Sequence, residues 1–129
     1  MGVSENYRVY ISSEGLSYAS RGDATLNLAT YKGVLLAKIY EHFGDHLKML
    51  LTYSPITLKS TAGCAKKNQI KTKQPMIEAF KSINENIPFK NKLFDESLKL
   101  KTNYYEGVDD LIDSYWALQT MIKKERLAL

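Results

Sequence analysis

Gly107-Val108-Asp109-Asp110-Leu111-Ile112-Asp113-Ser114-Tyr115-Trp116-Ala117-Leu118 is the stretch on which the reading of the chain turns. Val108, Leu111, Ile112, Tyr115, Ala117, Leu118 and Ile122 recur at helical spacing, which predicts an amphipathic helix over residues 109–124. Asp110 and Asp113 stand three apart, so both are expected on one face in the first turn, just after Gly107. Carboxylates at that end stabilise a helix through its dipole, which accounts for one or two acids. The dipole explains less well a cluster of Asp109, Asp110 and Asp113 beside a tryptophan-bearing apolar face in a basic protein. Paired carboxylates on one helical face also suit Mg²⁺, a hard cation that takes oxygen ligands.

The 129 residues fit one domain, 1–129, large enough for a hydrophobic core. Hydrophobic residues make up 44% and charged residues 25%, an ordinary balance for a globular protein. Lysine and arginine exceed the acids by 18 to 14, with a sequence pI near 9.1, an excess that permits nucleic-acid binding without demanding it. Cys64 is the single cysteine, which excludes an internal disulfide and, with no Cys/His spacing of the right kind, a structural zinc site. No apolar run approaches the length of a membrane helix and the first residues lack a signal-like core, so no membrane partner and a cytoplasmic location are expected.

Residues 7–11 (Tyr-Arg-Val-Tyr-Ile) are β-branched and aromatic and predict a strand that runs out at Ser12-Ser13-Glu14-Gly15. Glu14 would then lie at the carboxyl end of a strand, where open α/β sheets place their chemistry. Residues 23–43 predict the strongest helix, capped by Asp23 and closed by Gly44, with an apolar stripe of Leu28, Tyr31, Leu35, Ile39 and Phe43 flanked by Ala24 and Leu36. Gly33 in its interior predicts a close approach by another element, since glycine there is otherwise unfavourable. The apolar run 46–53 between Gly44 and Pro55 predicts a buried strand, and strand–helix–strand order implies parallel pairing. His42 and His46 read as surface histidines.

A short helical turn from Pro55 to Lys59 leads into residues 59–73, which hold five lysines (Lys59, Lys66, Lys67, Lys71, Lys73) with no acid before Glu78. The whole chain has a net charge of only +4, so this one segment outweighs the remainder, which is slightly acidic. A flexible solvated loop would explain lysines here; a concentrated patch is also what neutralises phosphates in sequence-blind, salt-dependent binding. Residues 75–84 predict a further helix and 86–102 a loop with a short helix.

Four segments in this order resemble a known family. They are Glu-Gly-Leu-Ser-Tyr-Ala-Ser-Arg-Gly-Asp (14–23); Leu28-x-x-Tyr31-Lys32-Gly33-Val34-Leu35-Leu36; Tyr53-x-Pro55-x-x-Leu58-Lys59 with Gly63-Cys64-Ala65-Lys66-Lys67; and Asp110-x-x-Asp113-x-x-x-Ala117-Leu118. Together they look like the RuvC-type Holliday-junction resolvases of the RNase H-like nuclease superfamily, phage-like members above all. The resemblance implies an α/β, RNase H-like fold, a mixed sheet flanked by helices. It also implies a metal-dependent, structure-selective endonuclease that cuts branched DNA in recombination, repair or phage DNA processing, inside a bacterial or phage-infected cell. Glu14, Asp110 and Asp113 would hold Mg²⁺, with Mn²⁺ as a substitute. Lys59, Lys66, Lys67, Lys71 and Arg21 would contact branched or duplex DNA, Tyr18 would stack at the branch point, and the chain would act as a homodimer. The family's first acidic strand has no counterpart before Glu14. The expectation is therefore a domain partial at its N-terminus, a chain completed by a partner, or a catalytically incomplete, nuclease-like DNA-binding relative.

Overall fold

In the computed structural model, residues 6–15, 22–68, 70, 72–83 and 108–128 are described. Their elements follow in the order β1 (Val9–Glu14), α1 (Asp23–Phe43), a 3₁₀ turn (Gly44–His46), β2 (Leu47–Tyr53), α2 (Pro55–Thr61), α3 (Gln74–Ile83) and α4 (Val108–Lys124). The described residues thus define a mixed α/β protein with four α-helices and a two-stranded parallel sheet. No described helix is long and apolar enough to cross a membrane. Within the 1–129 span the chain divides into two compact units, Met1–Pro55 and Ile56–Leu129, and each is taken by itself. The expected loop and short helix at 86–102 lie outside the described residues.

In the first unit β1 and β2 pair in parallel, as strand–helix–strand order implies, from Val9 opposite Leu47 to Glu14 opposite Tyr53. β1 runs further than its apolar start predicts. Ser12 and Ser13, where the strand is expected to run out, join the ladder opposite Leu51 and Thr52, and the Ser13 and Thr52 hydroxyls meet at 3.1 Å. The Gly15 N–H then donates to the Tyr53 carbonyl at 2.7 Å. A Cβ at Gly15 would stand 3.3 Å from that carbonyl oxygen and 3.2 Å from Thr52 Cγ2, so the strand leaves the sheet where a side chain would crowd it.

α1 has the bounds its sequence predicts, but two of its details differ. Gly22, with φ at 115°, occupies the N-cap, and no side chain caps the first turn; Asp23 is the first helical residue. The C-terminal end is as expected: Gly44, at φ 49°, returns its N–H to the Tyr40 carbonyl. The half-buried face is Lys32, Leu36, Ile39 and Phe43, whereas Leu28, Tyr31 and Leu35 of the expected stripe are 56%, 71% and 59% exposed. The covered face is rotated towards Lys32, whose ammonium donates to the Glu14 carbonyl at 3.0 Å. None of the described residues of this unit is fully buried, because a two-strand ladder with one helix has too few layers to enclose a side chain.

Gly33 also departs from expectation. A Cβ at Gly33 would meet nothing within 4 Å among the described residues, so no described element of this unit approaches it. Gly33→Ala is therefore expected to stabilise α1 by roughly 0.5–1 kcal/mol through helix propensity alone, read as a higher urea midpoint.

The second unit carries the core. Leu58 from α2, Met76, Ile77 and Phe80 from α3, and Val108, Ile112, Trp116, Ala117 and Met121 from α4 are all buried, together with Cys64 and Thr120. Trp116 Nε1–H donates to the Met76 carbonyl at 3.2 Å, tying α4 to the first turn of α3. The Phe80 and Tyr115 rings meet edge to face at 4.7 Å, a geometry the ring quadrupoles favour. Thr120 donates across to Thr61 Oγ1 at 2.8 Å, and Thr61 donates to the Thr57 carbonyl, so the hydroxyls between α2 and α4 are satisfied. Leu111 and Leu118, expected on the apolar face of α4, are 51% and 40% exposed; Trp116, Thr120 and Met121 fill the buried positions in their place.

Candidate functional site

In the first unit Glu14 is the last residue of β1, at the carboxyl edge of the parallel pair, the position predicted for it. It is half-buried, and Lys32 reaches its backbone carbonyl from α1. Asp110 and Asp113 belong to the second unit, so Glu14 and the aspartates are positioned by different units.

Asp110 and Asp113 both occupy the first half of α4, but they do not share an environment. Asp110 is exposed, while Asp113 is only 7% exposed. Positions three apart on a helix differ by about 60° around its axis. The edge of the buried face runs between them. Asp113 Oδ2 accepts from the Lys73 ammonium, which enters from just before α3. Asp113 Oδ1 is buried and has no hydrogen-bond partner among the described residues. A buried carboxylate oxygen without a donor is costly, so this pair is half satisfied by protein groups alone. Lys73, which its place in the lysine run groups with the phosphate-facing residues, is instead Asp113's counter-ion. The only signal in the sequence is its position at the end of that run, next to a helix start.

Of the predicted DNA-facing residues, Lys59 lies in α2 and its ammonium donates to the Ile70 carbonyl, bracing the segment that follows. Lys66 and Lys67 are exposed in the turn after Gly63, which takes φ 75°. Tyr18, Arg21 and Lys71 lie outside the described residues. Cys64 is buried beside this turn, where its thiol donates to the Ala62 carbonyl at 3.5 Å and burial pushes its pKa above the ordinary cysteine value. It is a packed thiol, not a reactive one.

Among the described residues no group of three His, Cys, Asp or Glu side chains is gathered to hold a metal. The Asp113 orphan oxygen is nonetheless of the donor type a hard cation takes, and Asp110 stands one turn earlier on the same helix. No family model, no curated protein and no solved structure matches the chain. The functional reading therefore rests on the residues.

Proposed function

We propose that this chain is a metal-dependent, structure-selective endodeoxyribonuclease of the RuvC-like, RNase H-like kind, acting as a homodimer on branched or duplex DNA. The observation that carries the reading is the buried Oδ1 of Asp113, a carboxylate oxygen on α4 with no partner among the described residues. Asp113 and Asp110 of the second unit, and Glu14 of the first, are the residues this reading assigns to Mg²⁺ or Mn²⁺. A divalent cation held by such carboxylates would supply Lewis-acid activation of water and of the scissile phosphate. Lys66 and Lys67, exposed on their turn, neutralise backbone phosphates, and Lys59 orders the segment that carries them.

A second reading has its own support. Lys73 already gives Asp113 a positive partner, as expected in a nuclease-like DNA-binding relative without catalysis, in which an ammonium stands where the metal charge would be. Incubating a four-way junction and a linear duplex with the protein, in Mg²⁺ and in EDTA, separates the two. Symmetric nicks that need Mg²⁺ support the nuclease; binding without nicks supports the second reading.

Either reading requires the lysine turn. Changing Lys66 and Lys67 together to alanine is expected to weaken binding to all DNA sequences alike and to lower the salt slope by about two, one unit for each phosphate no longer neutralised. Fluorescence anisotropy across a salt series measures this. Unaltered binding would move the DNA face elsewhere.

A further inference from the structure

At the opposite end of the two strands from Glu14, three features coincide. The first is a break in the ladder: Val9 pairs with Leu47 but Tyr10 pairs with Met49, so Lys48 is an extra residue on β2. Bulges are rare in parallel pairs and occur where a side chain is re-aimed at a site. The second is a ring pair that closes the strand ends. Tyr7 and His46 stack with centroids 4.1 Å apart and planes within 15°. His46 Nδ1 lies 3.2 Å from the Tyr7 carbonyl, and because a carbonyl only accepts, Nδ1 carries the proton. The third is a cavity of about 330 Å³ lined by Asn6, Tyr7, Arg8, His46 and Lys48.

Among the described residues that lining contains a guanidinium, an ammonium, an imidazole, a phenol and a carboxamide, and no carboxylate. The Lys48 ammonium is steadied by the Asp45 carbonyl at 3.0 Å, a neutral acceptor that leaves its charge uncompensated. Among the described residues no carboxylate pairs with either Arg8 or Lys48. Arg8 and Lys48 both line this cleft, and like charges that share a cleft cost free energy unless an anion joins them. Arg8 brings the planar fork that matches two oxygens of a phosphate, and Lys48 a point charge for a third.

We infer that this cleft, formed by Arg8, Lys48 and the Tyr7–His46 pair, binds a phosphate group. Within the first unit it lies at the opposite end of the strand pair from Glu14, and it does not depend on the nuclease reading. The phosphate comes either from a small phosphomonoester or from the backbone of a nucleic-acid strand, and the two sources are separable.

The test follows the backbone amides of residues 7–9 and 46–49 in ¹H–¹⁵N spectra of the full chain. The titrants are inorganic phosphate, thymidine monophosphate and a short oligothymidylate, each against chloride at matched ionic strength. Saturable shifts at these amides with phosphate are expected. The Arg8→Gln/Lys48→Gln variant is expected to weaken them about tenfold or more, and Arg8→Lys, which keeps the charge but not the fork, by less. Both side chains are exposed, so unchanged amide positions elsewhere certify the fold. A monophosphate that saturates as readily as the oligonucleotide identifies a small-molecule site; an oligonucleotide that saturates at much lower concentration identifies a strand. No saturable response at these amides, or one that survives the double substitution, overturns the inference.

Discussion

Trp116→Ala is expected to destabilise the second unit by about 3–5 kcal/mol, enough to unfold a domain of ordinary stability. Trp116 is 3% exposed and lies where α4 meets the start of α3, so its removal leaves a cavity between the two helices. Two further losses add to the cavity. The Met76 carbonyl forfeits the indole N–H at 3.2 Å, and Tyr115 loses an edge-to-face neighbour at 5.0 Å. Trp116→Phe separates these effects: it keeps most of the volume, gives up the hydrogen bond, and is expected to cost about 1–2 kcal/mol. Trp116 is the only tryptophan, so urea midpoints must be followed by far-ultraviolet circular dichroism rather than by fluorescence. A midpoint unchanged in Trp116→Ala would mean that α3 and α4 are held by other side chains.

The second large effect is an asymmetry within the Lys73–Asp113 pair. Asp113 is the buried member, with a side chain 9% exposed, and Lys73 is the wetter one at 38%. Lys73→Met strands a carboxylate in the interior with neither oxygen partnered among the described residues, at a cost of roughly 2–4 kcal/mol. That figure is below the top of the range for buried pairs because the lysine end is partly solvated. Asp113→Asn removes the buried charge while keeping an acceptor for Lys73, so its expected cost is only about 1 kcal/mol. Stability therefore ranks Lys73→Met as the worse change. Catalysis ranks them the other way under the proposed function: Asp113→Asn is expected to abolish Mg²⁺-dependent cleavage while DNA binding persists. Paired melts and junction-cleavage assays on the two variants check both rankings. Normal cutting by Asp113→Asn would remove the metal role from this residue, and equal destabilisation would show that the carboxylate finds another donor.

Much of the framework is legible in the sequence. The bounds of α1, the parallel pairing of β1 with β2 and the placing of Glu14 at a strand's carboxyl edge follow from apolar periodicity, from Gly44 and from strand–helix–strand order. The faces are less so. Leu28, Tyr31 and Leu35 make a regular stripe on α1, yet the helix turns Lys32, Leu36, Ile39 and Phe43 inward. On α4 the apolar residues span so wide an arc that Leu111 and Trp116 are equal candidates for the core, and packing against Met76 and Phe80 selects Trp116. Ser12 and Ser13 read as the end of β1 because serines favour turns, although a ladder partner overrides that preference.

The sequence by itself determined the kind and order of the described helices and strands, the lysine-rich segment that holds Lys66 and Lys67, and the clustering of acids at the start of α4. These depend on spacing, turn residues and local charge, all of which act within a few residues. Only the tertiary structure decided that Asp110 stays in water while Asp113 is buried, that Lys73 is its counter-ion from 40 residues away, and that Arg8 and Lys48 line one cleft. Burial and ion pairing are set by whichever distant side chains arrive at the same place, and no local pattern encodes that arrival.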